Sequence, residues 1–195
     1  MKLILASSSP RRAEILRHAG FAFDVYPANI DETRRPREKP RNYVRRLARE
    51  KAERAAAVVR RKGRPAIVIG ADTVVVAKGK VLGKPTDVAS ARAMLRLLNG
   101  KTHEVFTGVA LVSLPDERKR THVETTRVTF AKLSEDEIDR YLLTGEPFHK
   151  AGGYGIQGIA GRYVRRIAGC YFNVVGLPLA RVSAMLAKLG WRERQ

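Results

Sequence analysis

The hydrophobic pattern centres on one stretch, Ala66-Ile67-Val68-Ile69-Gly70-Ala71-Asp72-Thr73-Val74-Val75-Val76. An apolar run of this length, bounded by Pro65 and broken by Gly70, predicts a strand buried on both faces, with Asp72 where it ends. Core packing asks for no carboxylate there. Asp72 is either a turn cap or a group placed for chemistry, because ligands of open α/β sheets bind beyond the carboxyl ends of strands. Before it, Lys2–Ala6 reads as a first strand and Pro10 as the first position of a helix reaching Ala19, with Ser9 as N-cap and Gly20 as stop. Phe21–Pro27 reads as a second strand.

Pro40 opens a long helix to about Lys62, closed by Gly63 and Pro65. Its apolar stripe is Val44, Leu47, Ala48, Ala55, Val58 and Val59. Lys51 lies seven residues from both Val44 and Val58, so it falls on that stripe, either snorkelling to the edge or aimed at an anion. Lys78-Gly79 predicts a hairpin between Val74–Ala77 and Lys80–Leu82. A helix from Asp87 to Leu98 ends at Gly100, and two long strands, His103–Leu114 and Arg118–Lys132, flank Pro115-Asp116. Ser134 with Glu137 forms a capping box for a helix to about Thr144. Five glycines between Gly145 and Gly158 mark a loop where backbone approaches a ligand, with Tyr154 and Gln157 as candidate base or sugar contacts. Arg162–Ile167 reads as a further strand. Pro178 starts a last helix with Val182, Met185, Leu186 and Leu189 inward, and Arg192–Gln195 reads as a frayed tail.

Composition narrows the options. A chain of 195 residues suffices for one large domain or two closely joined lobes, and no repeat or linker divides it. No apolar stretch approaches the roughly 18 residues of a spanning helix. The four-residue apolar segment at the N-terminus is too short for a signal-peptide core, so a cytoplasmic protein is expected. One cysteine, Cys170, forms neither an internal disulfide nor a metal site alone, which fits a reducing compartment. The outlier is charge: 38 Lys and Arg against 19 Asp and Glu give +19. Such a field attracts nucleic acid, nucleotides and phosphates. It is densest at Arg34, Arg35, Arg37, Lys39, Arg41, Arg45, Arg46 and Arg49, where a plain solvated surface is the competing explanation.

Several motifs carry chemistry. Ser7-Ser8-Ser9-Pro10-Arg11-Arg12 joins a strand to a helix start, where backbone N–H groups, hydroxyls and the Arg11 fork can receive an anion; an ordinary capped helix is the alternative. Asp31 and Glu32 could hold a divalent cation or balance nearby arginines. Lys84, on the Gly83-Lys84-Pro85 loop, could meet phosphate. Gly100-Lys101-Thr102 is no P-loop, since Leu95 stands where the first glycine belongs, and neither a zinc-protease helix nor a nucleophile elbow is present. Arg11, Lys51 and Lys84 as clamps and Asp72 as proton acceptor, with Mg²⁺, suit water attack on a phosphoryl group, and Thr73 and Gln157 could read a base.

Seven motifs occur in order: Ser7-Ser8-Ser9-Pro10-Arg11-Arg12, Gly70-Ala71-Asp72-Thr73, Leu82-Gly83-Lys84-Pro85, Glu146-Pro147, Lys150-Ala151-Gly152, Tyr154-Gly155-Ile156-Gln157-Gly158 and Val175-Gly176-Leu177-Pro178. Together, and over nearly the whole chain, they resemble the Maf family of nucleoside triphosphate pyrophosphatases. The resemblance implies an α/β fold, an elongated mixed sheet with flanking helices and two lobes around a central cleft, similar to inosine triphosphate pyrophosphatases. It implies hydrolysis of a nucleoside triphosphate to the monophosphate and pyrophosphate with a divalent cation, Mg²⁺ or Mn²⁺, and a possible homodimer. Asp72-Thr73 and Tyr154-Gly155-Ile156-Gln157 look like the branch acting on dTTP and UTP; the 7-methyl-GTP branch tends to carry Gln in place of Thr73. Carried over, Asp72 is the proton acceptor, and Arg11, Thr73 and Gln157 set specificity. Ser7, Arg11, Lys51 and Lys84 hold phosphates, and Glu32 with Asp72 serves the metal. His149 departs from the family's usual Asp, which bears on metal affinity or pH optimum. Two other classes stand against the enzyme: a nucleic-acid-binding protein linked to cell division that uses the basic helix Arg41–Arg61, and a nucleotide sensor without turnover.

Overall fold

In a computed structural model that describes residues 1–61 and 63–192, the central apolar run forms one long strand. The elements are β1 Lys2–Leu5, α1 Pro10–His18, β2 Phe23–Val25, α2 Pro40–Arg60, β3 Ala66–Ala77, β4 Lys80–Leu82, α3 Val88–Leu98, β5 Thr102–Leu114, β6 Lys119–Phe130, α4 Glu135–Leu143, β7 Val164–Ala168, α5 Tyr171–Val175 and α6 Leu179–Lys188. Among the described residues, seven strands form a mixed sheet in the order β2-β1-β3-β5-β6-β7, with β4 on β3. β1 runs parallel to β2 and to β3, whereas β4 and β7 are antiparallel to their neighbours. The chain divides into two compact units, one of Met1–Asp72, Thr107–Glu124 and Gly176–Gln195, the other of Thr73–Phe106 and Thr125–Val175.

Asp72 does not end its strand. β3 continues to Ala77 because its second apolar half pairs with β4, Val75 opposite Leu82 and Ala77 opposite Lys80. What ends near Asp72 is the parallel partner: β1 stops at Leu5, opposite Ile69, and Ala6 N–H closes the ladder on the Ile69 carbonyl at 2.7 Å. The carboxyl-end opening expected beside Asp72 therefore belongs to β1.

In the first unit α2 lies directly on the sheet. A Cβ at Gly70 would stand 2.2 Å from the Ala48 carbonyl oxygen and 2.6 Å from the Ala52 nitrogen; at Gly108 it would stand 2.2 Å from the Val44 carbonyl oxygen. Strand glycines of this kind mark close backbone approach. Ala48, Ala52, Ala55 and Ala56 keep the seam thin, packed with Val59, Val68 and Val112. Because these alanines define the buried face, Val58 is only half-buried, against the stripe read from the sequence. The helix runs to Arg60, and its expected last residue, Lys62, lies outside the described residues, as do residues 193–195 of the expected tail.

The second unit is built on Val75, Leu95, Leu98, Val105, Val128, Phe130, Ile138 and Tyr141. Asp87 caps α3, accepting from Ser90 N–H at 2.6 Å. Ser134 and Glu137 close a capping box on α4. Tyr154 is buried against Phe130 and places its hydroxyl 2.8 Å from His103 Nε2. It is a core residue and not the base or sugar contact expected of it. A helical turn, Ile159–Tyr163, delays the strand expected at Arg162 to Val164.

Two outcomes follow from this packing. Gly70→Ala should cost about 3 kcal/mol, since no flexible side chain can yield to the new methyl, lowering Tm by roughly 6–12 °C. Gly83→Ala, where the added Cβ meets open space, should stay within about 0.5 kcal/mol; calorimetry of both checks this. Burial pushes His103 down to about 4 from 6.5. The unfolded chain therefore binds a proton between those values that the folded chain refuses. Stability carried by neutral His103 is complete above pH 6.5 and is lost, by about 3 kcal/mol, as pH falls toward 4. A His103→Gln chain should lack that part of the slope in urea titrations across pH.

Candidate active site

The first unit gathers its charged groups where β1 gives way to α1. Ser7, the second residue past β1, is buried, and its Oγ accepts from Ser9 N–H at 3.2 Å and from Arg12 Nη1 at 3.0 Å. Ser9 occupies the N-cap position without a side-chain cap bond. Arg12 Nε donates to the Gly176 carbonyl at 2.8 Å. Burial lowers the affinity of Arg12 for its proton, and Arg11 pushes the same way, against the pull of Asp72 and Glu32. The inward fork is thus Arg12, whereas Arg11 is half-buried beside it. The signal was available: Arg12 shares the i, i+3, i+4 face of Ile15 and Leu16, and all three are buried.

Because Gly70 and Gly108 draw α2 onto the sheet, Lys51 reaches Asp72. Its Nζ lies 2.7 Å from Asp72 Oδ1 and 2.7 Å from Glu32 Oε1. Asp72 is 8% exposed. Burial raises its pKa, Lys51 and Arg12 oppose the rise, and Glu32 adds to it; the balance lies above the ordinary carboxylate value. Such a group is a stronger proton acceptor than a free aspartate. Of the acidic pair, only Glu32 joins Lys51. Asp31 turns back to accept from Thr33 N–H at 2.8 Å.

Two carboxylates, Glu32 and Asp72, converge on the Lys51 ammonium and form an oxygen donor pair. Mg²⁺ is commonly held by one or two carboxylates plus substrate phosphates, so Glu32 and Asp72 fit such an ion. No group of three or more His, Cys, Asp or Glu is poised for a metal among the described residues, so further ligands would come from a bound anion or water.

The remaining candidates lie in the second unit. Thr73 follows Asp72 on β3 and is half-buried; Lys84 and Gln157 are exposed. Gly152 N–H donates to the Gly83 carbonyl at 2.9 Å, tying the Gly-rich loop to the turn that carries Lys84. The Glu146 carboxylate accepts from Ile159 N–H at 2.7 Å and from the Tyr141 hydroxyl at 3.0 Å, fixing the chain just after Gln157. His149 is exposed with φ 68°, a left-handed position that His, Asn and Asp tolerate better than most side chains. The basic run is not a bare cationic strip: Arg46 is buried, Arg35 pairs with Glu50, and Arg49 with Glu53.

What the first unit presents is a buried carboxylate–ammonium pair beside a buried guanidinium, in an α/β protein. The chain belongs to the Maf-like protein family, whose pattern matches residues 2–189. It is 53% identical to the dTTP/UTP pyrophosphatase of Koribacter versatilis over 97% of this chain and 95% of that one. Identity is 48% to the protein of the same name from Syntrophus aciditrophicus (97% and 90% covered). It is 49% to that from Vibrio cholerae (96% and 97% covered). Among solved structures, the Staphylococcus aureus Ham1 protein is a distant likeness, with a TM-score of 0.49 at 12% identity, covering 96% of this chain and 99% of that one.

Lys51→Met should raise the Asp72 pKa further by removing its nearest counter-charge, seen as a higher carboxyl titration midpoint in ¹³C NMR. It should also destabilise the fold by about 3 kcal/mol, the usual cost of leaving a buried charge without its partner.

Proposed function

We propose that this chain hydrolyses dTTP and UTP to the monophosphate and pyrophosphate. The observation that carries the reading is near-full-length identity of 53% and 48% to relatives bearing that name. The Asp72 environment supports it chemically. With its pKa raised by burial, Asp72 takes the proton of the attacking water, and Lys51 keeps the carboxylate oriented. Arg11, Arg12, Lys51 and Lys84 offset phosphate charge, which develops further in the transition state, and the Ser7 hydroxyl donates to a phosphate oxygen. Arg11, Thr73 and Gln157 are assigned to base recognition. Glu32 and Asp72 would hold Mg²⁺ or Mn²⁺, which when bound polarises a phosphoryl oxygen and lowers the pKa of water.

No helix among the described residues is long and apolar enough to cross a membrane; the reading includes a cytoplasmic setting and a homodimer, the latter resting on resemblance.

The test is pyrophosphate release from dTTP, UTP, CTP, 7-methyl-GTP and ITP with Mg²⁺ and Mn²⁺. Turnover should be confined mainly to dTTP and UTP. Gln157→Ala should raise KM for both by about 3–10-fold, the worth of one hydrogen bond. Preference for 7-methyl-GTP would overturn the specificity assignment, and absence of turnover on all five would overturn the reaction.

A further inference from the structure

Within the basic run 34–49, Arg46 behaves unlike its neighbours. Nε and Nη2 donate to the two Glu38 carboxylate oxygens at 2.8 and 2.9 Å, Nη1 to Glu50 Oε2 at 3.1 Å, and Nη2 also to the Thr33 carbonyl at 3.1 Å. The Arg46 and Glu38 side chains are only 9% and 10% exposed. A bidentate, buried fork of this kind fixes geometry as well as charge. Three residues earlier on α2, the Tyr43 hydroxyl donates to the Glu32 carbonyl at 2.7 Å. Glu38 in turn accepts from Arg35 N–H at 3.1 Å. The chain between β2 and α2 has neither strand nor helix of its own. Its shape around Glu32 and Thr33 is held by α2 at three points: Tyr43 on one carbonyl, Arg46 on the next, and Lys51 on the Glu32 carboxylate.

We infer that Arg46, seconded by Tyr43, is a positioning residue that sets the Glu32 carboxylate in place for the divalent cation. The inference rests on the proposed pyrophosphatase reading only for what Glu32 then binds. The guanidinium of Arg46 is taken up by Glu38, Glu50 and the Thr33 carbonyl. It acts through Thr33 and Glu38, whose placement decides where the loop can deliver Glu32. Lysine at this position would keep the charge and lose the fork, because an ammonium cannot serve both Glu38 oxygens, Glu50 and the Thr33 carbonyl from one plane.

The experiment compares wild type, Arg46→Lys and Tyr43→Phe. Mn²⁺ binding is followed by electron paramagnetic resonance with a non-hydrolysable dUTP analogue present, and amide exchange is followed by mass spectrometry over residues 31–38. Both variants should weaken Mn²⁺ binding by about 10–100-fold, the usual effect of losing a group that orients a metal ligand. Both should speed exchange across that segment, and kcat at saturating Mn²⁺ should fall far less than affinity. Faster exchange with unchanged Mn²⁺ affinity would reduce Arg46 to a structural role and overturn the inference. Unchanged exchange, or a wild-type complex that binds no Mn²⁺, would also overturn it. Should Arg46→Lys fail to fold by near-ultraviolet circular dichroism, Tyr43→Phe, which loses one hydroxyl, decides the matter alone. A wild-type chain that binds Mn²⁺ but releases no pyrophosphate from dTTP or UTP would sink the proposed function and leave the positioning result standing.

Discussion

The first unit depends on one close approach, that of the α2 backbone to β3 and β5 at Gly70 and Gly108. Any side chain at either position would push the helix outward, and Lys51 rides on that helix. Its ammonium bridges Asp72 and Glu32 at hydrogen-bonding distance, so outward movement of the helix would stretch both contacts. The alanine-rich seam of α2 thus serves geometry more than hydrophobic stabilisation. Each alanine buries little area, but the row brings the charged end of Lys51 within reach of the sheet.

The charge pattern is what a stability argument alone would not choose. A buried carboxylate, ammonium and guanidinium carry desolvation costs of several kcal/mol each, and a hydrophobic replacement is often no less stable. Asp72 shows the result: burial outweighs the attraction of Lys51 and Arg12, leaving a carboxylate that holds protons more tightly than usual. Arg46, five residues before Lys51 on α2, and Glu38, on the preceding loop, follow the same logic, and their buried fork fixes the shape of that loop. These are costs that the proposed hydrolysis of a multiply charged nucleotide would explain.

Much of this was legible in the sequence where local physics decides it. Lys51 stood out by interrupting an apolar stripe, Asp72 by interrupting an apolar strand, and Ser134 and Glu137 by their spacing. Partners distant in sequence were harder to foresee. Sequence alone favours Arg11 over Arg12 because the carbonyl that Arg12 meets, Gly176, lies 164 residues away. Arg46 was hidden in a run of arginines, and only the fold of the preceding loop buries it. Gly70 and the carboxylate read as the end of a strand, yet β3 goes on past Asp72 because a different neighbour, β4, pairs with its second half. The glycines around Tyr154 point to a ligand contact, yet Phe130 and His103 pack against its ring.

The most direct test of the account is single-turnover hydrolysis of dTTP by Asp72→Asn, alongside equilibrium binding of a non-hydrolysable analogue. Loss of a positioned proton acceptor predicts a fall of about 10²–10⁴-fold in the chemical step with nucleotide binding retained. Hydrolysis at the wild-type rate by the asparagine variant would contradict the central claim, because the buried carboxylate would then have no part in the reaction.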